Sequence, residues 1–314
     1  MPEAELLEFI ESSHNFSVNQ ILDYLDYIYE QAPPIDIGES IYDCCGTGGD
    51  AANTFNISTT TAIVAAAAGI KVCKNGGRSS SSTTGSVDVL EALGLNLGAK
   101  LETKLIGLEK YNLAFYSSNV SAELLAPIKQ VCRKHKLTSF LSLLGPIASP
   151  VKLTGQIVGV GQENWFGTMV DLQTKLIERG LRQKAAVLIS EFADGAKLDE
   201  LSSASRSKIV LLNKEGSKEF QFDPKDFDLD DKKEDLQGGA DHQANAQIIL
   251  ETLGHCEPLP SNPDPKIRTV ALNVALLLYL QDQSQELSQY FQTVIEIISS
   301  GKALENFERF KGIV

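Results

Sequence analysis

The chain carries no cysteine pattern that would staple or ligate it. Its five cysteines, Cys44, Cys45, Cys73, Cys132 and Cys256, are odd in number and show no Cys-x-x-Cys spacing, so neither a disulfide framework nor a zinc site is indicated. The four histidines, His14, His135, His242 and His255, form no ligand spacing either. Long apolar runs are missing. The longest, near residues 62–69 and 270–280, fall short of a membrane span, and the acidic start Met1-Pro2-Glu3-Ala4-Glu5 has no signal-peptide core. A cytoplasmic protein without a membrane partner is the expectation. Positive charge is also scarce: 28 lysines and arginines against 41 acidic residues leave a formal net charge of -13, which argues against general affinity for nucleic acid. No Gly-Lys-Ser/Thr closes the front glycine run, and no Gly-x-Gly-x-x-Gly stands there, so Walker and dinucleotide loops are set aside.

What remains is an ordinary soluble composition, 43% apolar and 22% charged over 314 residues, enough for one large α/β domain with or without a small companion. One stretch, residues 43–88, dominates it. It reads as strand, glycine loop, helix, strand, small-residue loop, helix. The first loop is Gly46-Thr47-Gly48-Gly49-Asp50, running through Asn53-Thr54-Phe55-Asn56-Ile57-Ser58-Thr59 into an alanine-rich helix over residues 60–68. The second is Lys74-Asn75-Gly76-Gly77-Arg78, then Ser79, Ser80, Ser81, Ser82, Thr83, Thr84, Gly85 and Ser86. Consecutive glycines let backbone N–H groups converge on an anion. A helix starting after Ser58 or Thr59 adds unpaired donors and a positive dipole end. Either loop alone would equally be a flexible turn. Two of them, each between a strand and a helix, suit a ligand with more than one phosphate.

The rest of the chain supports a scaffold for that cradle. Residues 4–32 read as two helices around His14-Asn15-Phe16-Ser17, stopped by Pro33-Pro34. Strands are expected over 41–45, 113–116, 156–161, 184–190 and 208–212. Helices are expected over 87–93, 121–135, 164–179, 246–253, 267–280 and 287–298. Interleaving at this spacing implies a mostly parallel sheet covered by helices on both faces. The expected division is a small helical domain, residues 1–38, joined by helices from about 118–140, and an α/β domain over 39–314. Residues 223–235, dense in carboxylates, read as a solvated surface loop, because Lys232-Lys233 and the lack of glycine break any EF-hand pattern. Asp199-Glu200 follows the strand over 184–190; adjacent carboxylates at the carboxyl edge of a sheet can hold hydrated Mg²⁺, although such a pair is more often plain polar surface.

These residues resemble the anthranilate phosphoribosyltransferase family, whose pattern is approximately Gly-Thr-Gly-Gly-Asp, Asn-x-Ser-Thr, Lys-His-Gly-Asn-Arg, Gly-Ser-x-Asp. The similarity extends almost to the C-terminus. It implies a nucleoside phosphorylase/phosphoribosyltransferase-like fold and transfer of 5-phosphoribose from phosphoribosyl pyrophosphate to a small aromatic acceptor, as in tryptophan biosynthesis. Carried over by position, the donor pocket would be Gly46, Gly49, Asp50, Thr54, Asn56, Ile57, Ser58, Thr59, Lys74, Asn75, Gly76, Gly77, Arg78, Ser79 to Ser82, and Ser86. Mg²⁺ would be held by Ser58, Asp199 and Glu200, and no covalent nucleophile is implied. The acceptor half departs from the pattern. Lys74-Asn75-Gly76-Gly77-Arg78 lacks the family's histidine and asparagine, and Ser118-Asn119-Val120-Ser121-Ala122 lacks a further histidine. Gly77, Lys129 and Arg133 are the nearest acceptor-binding candidates, and lysine does not replace a bidentate arginine. Gly145-Pro146 matches the family's Leu-Gly-Pro turn. The family carries about two more helices before the first strand, which puts its usual homodimer contact in question. Alternatives are a different acceptor, a ligand-binding relative without catalysis, and a pyrimidine-nucleoside phosphorylase relative.

Overall fold

The computed structural model describes residues 2–50, 52–77, 85–117, 125–135, 137–254 and 263–313, the side chain of Arg133 apart. Arg78, Ser79 to Ser82 and Ser118 to Ala122 lie outside the described residues. The sheet has eight strands: β1 (Tyr42–Gly46), β2 (Val72–Gly76), β3 (Leu113–Ser117), β4 (Gly155–Gly159), β5 (Lys184–Glu191), β6 (Lys197–Leu198), β7 (Arg206–Asn213) and β8 (Gly216–Phe222). Their order is β3-β2-β1-β4-β5-β7-β8, with the short β6 beside β5. From β3 to β5 every pairing is parallel; β6, β7 and β8 are antiparallel.

Alternation within the strands explains why helices cover both faces. On β5, Ala186 and Leu188 enter one core while Ala185, Val187 and Ile189 enter the other. On β7, Ile209 and Leu211 oppose Val210 and Leu212 in the same way. A strand with no wet face needs a cover on each side. One cover holds α3 (Ile57–Ala67), α10 (Pro265–Gln281), α11 (Leu287–Ser299) and α12 (Lys302–Lys311), with α4 (Ser86–Ala92) and α9 (His242–Thr252) beside them. α5 (Leu101–Tyr111) lies against β3 and α12. The other cover holds α2 (Val18–Gln31), α7 (Leu141–Ile147) and α8 (Glu163–Glu178). α1 (Glu3–Ser13) packs on α6 (Ala126–His135) through Leu6, Ile10, Val131 and Cys132. Phe9, Phe16, Tyr24 and Phe140 join α1, α2 and the start of α7 in one aromatic cluster.

Several elements differ from the sequence reading. The first glycine loop enters its helix at Ile57, with Asn56 at the N-cap position but no cap bond from its side chain, so Ser58 and Thr59 sit inside the first turn instead of at the cap. Ile57 is buried in the core, and filling that space draws the helix start forward. Gly145-Pro146, expected as a turn, lies within α7. A proline in the last turn of so short a helix forfeits little. β8 and α5 were not expected at all. β8 is an edge strand with a mostly exposed Gly-Ser-Lys-Glu-Phe-Gln-Phe sequence, so no apolar run marks it. The carboxylate-rich segment is only partly solvated. It forms two short 3₁₀ turns, and Asp231 pairs with Arg268 of α10 in a nearly water-free contact.

The chain leaves β1 for β2 and β3 on one side and returns to β4 on the other. The helices that follow β1 and β4, α3 and α8, therefore lie on opposite faces of the sheet, and the strand order switches between them at the carboxyl edge. Open α/β sheets bind ligands at such switch points.

Candidate active site

The carboxyl edge at this point is formed by the loop after β1, the start of α3, the ends of β2 and β4, and the segment after β6. Gly48 and Gly49 adopt φ of +69° and +81°, a left-handed backbone that favours glycine. Gly46 and Gly159 answer a different need. A Cβ on Gly46 would overlap the Asp199 carboxylate, and one on Gly159 would overlap the Asp199 backbone carbonyl. Glycine at these two strand ends is what admits Asp199. The Thr47 N–H donates to Gly159 O (3.0 Å), and the Thr47 hydroxyl accepts from Gly161 N–H (2.9 Å), locking the loops after β1 and β4 together.

Asp199 is 8% exposed, and its Oδ2 accepts from the Gly48 N–H at 2.6 Å. Burial pushes its carboxyl well above the usual carboxylate range, and Asp50 and Glu200 push it further. Glu200 is pushed up to about 7 by burial, opposed by Lys74 and by hydrogen bonding from Ser58. Lys74 is fully inside β2, only 3% exposed, and its Nζ donates to Cys44 O at 2.8 Å. Burial disfavours its ammonium, but Cys44, Asp43, Cys45 and Glu200 outweigh that and leave it raised. Lys74 is therefore an internal counter-charge within β2, not the first residue of a loop as the sequence reading had it.

Three acidic groups, Asp50, Asp199 and Glu200, thus repel one another beside one ammonium, and a divalent cation would relieve the excess. The donors are all oxygen, which suits a hard ion. Among the described residues no three Asp, Glu, His or Cys side chains converge on one point. Such a site matches Mg²⁺, which keeps its waters and takes one or two carboxylates together with substrate phosphates.

The remaining candidates distribute as follows. Thr54 bridges to Gln237, the Phe55 N–H donates to Leu236 O (3.1 Å), and Gly238 N–H to Asn53 O (3.0 Å), so the approach to α3 is held by the end of the acidic segment. Asn56 Oδ1, Thr59 Oγ1 and Asn75 Oδ1 are buried without a hydrogen-bond partner among the described residues. Asn75 Nδ2 donates to Ala148 O at 3.2 Å, just past α7. Gly76 and Gly77 close on Ser86: a Cβ on Gly76 would lie 2.7 Å from Ser86 Oγ, which itself donates to Gly77 O at 3.3 Å. Across from Gly49 stand Thr138 and Gln162, both uncharged. Lys129 lies on α6, half-buried.

Sequence reasoning missed the groups that hold the site in place. Gln156 Nε2 donates to Asp43 Oδ2 (2.8 Å) and Pro146 O (2.7 Å), while its Oε1 accepts from Gln173 Nε2 (3.0 Å) and from Arg182. Arg182 also donates to Ile147 O at 2.9 Å. Beneath Asp199-Glu200, Ser190 and the Asn273 and Thr269 side chains of α10 bind the loop backbone. Their one visible signal was a polar residue inside an apolar run, as in Leu272-Asn273-Val274.

Residues 38–304 match the glycosyl transferase family, a/b domain. The anthranilate phosphoribosyltransferase of Bacillus licheniformis is 32% identical over 302 residues, spanning 94% of this chain and 83% of its own. That of Bacillus cereus is 35% identical over 263 residues, spanning 83% and 73%. The crystal structure of anthranilate phosphoribosyltransferase from Thermus thermophilus superposes with a TM-score of 0.79 at 25% identity, over 100% of this chain and 95% of its own. The Saccharomyces cerevisiae enzyme in complex with PRPP and Mg gives 0.80 at 24% identity, over 94% and 80%, a likeness of fold. With more than two thirds of each of these relatives spanned in sequence or in structure, this chain belongs to the anthranilate phosphoribosyltransferase family of glycosyl transferases.

Proposed function

We propose that the chain transfers 5-phosphoribose from phosphoribosyl pyrophosphate to an aromatic amine, and that its acceptor pocket is not built for anthranilate in the family's usual way. The amine nitrogen bonds to ribose C1 as the C1–O bond to pyrophosphate breaks. The bonding pair leaves with pyrophosphate, and the amine proton goes to solvent. Negative charge grows on the leaving group, so catalysis rests on donors aimed there in advance. The Gly48 N–H is taken by Asp199 and the Ser58 N–H by Glu200, so the diphosphate would meet the Gly49 turn and the positive end of α3. Asp199, Glu200 and Ser58 would hold Mg²⁺, which when bound neutralises pyrophosphate charge. Lys74 keeps Glu200 partly ionised at neutral pH, ready to serve as a ligand.

The observation that carries this reading is Asp199 seated against Gly46, Gly48 and Gly159, an acidic group packed into the glycine turn of an anion cradle. Without a cation the arrangement is self-repelling; with Mg²⁺ and a diphosphate it is complementary. Support for the altered acceptor is separate. Asn75 stands where the family pattern has histidine, and its amide is committed to Ala148. Gly77 stands where the pattern has asparagine, and Thr138 and Gln162 face the glycine turn without charge.

Calorimetry with phosphoribosyl pyrophosphate and Mg²⁺, followed by a fluorescence assay of anthranilate consumption, tests both halves. Donor binding with anthranilate turnover far below that of a relative assayed alongside is expected. Turnover equal to that relative's contradicts the altered acceptor, and absence of donor binding contradicts the transfer reaction itself.

A further inference from the structure

The segment that carries Asp199-Glu200 is irregular backbone, yet it is buried. Leu201, Ser202 and Ser203 are all inaccessible to solvent. Backbone N–H and C=O groups in such a place must find partners, since each one left unpaired costs about 1–3 kcal/mol. Among the described residues no strand pairs with residues 199–205, so the partners come from side chains. Asn273, in the middle of α10 and 2% exposed, takes two of these groups. Its Oδ1 accepts from the Leu201 N–H at 3.2 Å, and its Nδ2 donates to Leu201 O at 2.6 Å. One amide side chain thus takes both polar groups of Leu201, as a neighbouring strand would.

A third bond fixes which way the amide points. Asn273 Nδ2 also donates to Thr269 O, 2.8 Å away in the preceding turn. Two carbonyls therefore demand the NH₂ on one side and an N–H demands the oxygen on the other, so only one orientation satisfies all three. Thr269 continues the attachment: its Oγ1 accepts from the Ser203 N–H at 3.2 Å and shares a 2.9 Å contact with the Ser203 hydroxyl. From the sheet side, the Ser190 hydroxyl donates to Glu200 O at 2.6 Å. Glu200 is held by its own carbonyl on one side and through Leu201 on the other.

We propose that Asn273 is a positioning residue for the cation site: its clamp on Leu201 sets where the Glu200 and Asp199 carboxylates stand relative to the glycine turn. The inference rests on the reading that these carboxylates take Mg²⁺. Partners one step behind a metal ligand typically govern affinity by about 10- to 100-fold. Hydrophobic replacement of the clamp keeps its volume in α10 and removes all three hydrogen bonds at once.

The test uses the full chain and Mn²⁺ as a paramagnetic substitute for Mg²⁺, titrated with and without phosphoribosyl pyrophosphate and followed by water-proton relaxation. Asn273→Leu and the milder Asn273→Ser are compared with the wild type, alongside melting in EDTA. Expected are Mn²⁺ affinity about 10- to 100-fold weaker in Asn273→Leu, a smaller loss in Asn273→Ser, and a rise in the metal concentration for half-maximal rate with kcat at saturating metal largely kept. A role in folding alone would lower the melting temperature and leave metal affinity untouched, and that result overturns the proposal. Amide exchange of the metal-free wild type needs no variant: Leu201 must be protected, and exchange as fast as in an exposed loop also overturns it. If the wild type itself fails to bind Mn²⁺ in either condition, the metal reading falls first and the clamp falls with it.

Discussion

The two flanks of the candidate site are held in place by different means. On the donor flank, Asp199 comes so close that glycine is required, its carboxylate against Gly46 and its backbone carbonyl against Gly159. On the flank around α7, where the proposed acceptor would sit, polar side chains reach across to bind the carbonyls that end the helix: Gln156 takes Pro146, Arg182 and Tyr29 take Ile147, and Asn75 takes Ala148. Those are orphan carbonyls of a helix end, which any suitable donor can satisfy. The contrast teaches where this chain can change. Close approach leaves one residue type, whereas a carbonyl accepts many donors, so the acceptor flank can exchange histidine for asparagine and remain folded.

The comparison breaks first, and with the largest effect, at Gly159. Gly159→Ala drives a methyl into the Asp199 carbonyl, a backbone atom with nowhere to go. We expect a loss of about 3 kcal/mol or more in denaturant unfolding, with donor binding abolished; a near-neutral result would mean the loops after β4 and β6 are not tightly joined. Glu200→Gln comes next. It should keep the fold while lowering the transfer rate by about 10²- to 10³-fold, measured as pyrophosphate release at saturating Mg²⁺. On the acceptor flank, Arg182→Met leaves Ile147 O and two glutamine oxygens short of a donor. That should cost about 2–3 kcal/mol of stability, with donor affinity in the surviving folded protein changed by less than about threefold.

The smallest effect concerns Asp43. Burial raises its carboxyl above the usual range, against the pull of Lys74, Gln156 and Arg182. A folded-state value above the unfolded one means the charged form is disfavoured in the fold. Its destabilising contribution is absent below the unfolded carboxylate range and grows as pH rises through the folded value. Asp43→Asn keeps an oxygen for Gln156 and supplies an amide where Oδ1 is unpartnered. It should therefore gain stability at neutral pH, by about 1 kcal/mol, and little at pH 4, in melts across that range. Equal shifts at both values would show that charge is not the cause.

Much of the donor flank was legible because its chemistry is local in sequence. Glycine turns, a helix following them and an adjacent acid pair are all readable as strings, and the strand-helix alternation gave the parallel half of the sheet. What escaped depended on distant residues meeting. Gly159 looks like any strand residue until Asp199, forty positions later, packs against it. Asn273 reads as a blemish in an apolar helix until the fold sets it beside Leu201. Lys74 reads as a loop cation because nothing in Lys74-Asn75-Gly76 says that the strand continues through it. β8 escaped for a simpler reason, being an edge strand whose first four residues, Lys218 and Glu219 among them, are exposed on both faces, so no apolar alternation marks it.

Everything on the donor flank assumes that cation and diphosphate bind together around Asp199 and Glu200. Titration calorimetry of phosphoribosyl pyrophosphate into the wild type and Glu200→Gln, each with Mg²⁺ and with EDTA, addresses that directly. The account predicts binding to the wild type that depends on Mg²⁺ and is lost or weakened at least tenfold in Glu200→Gln. Equal affinity in all four titrations would contradict it.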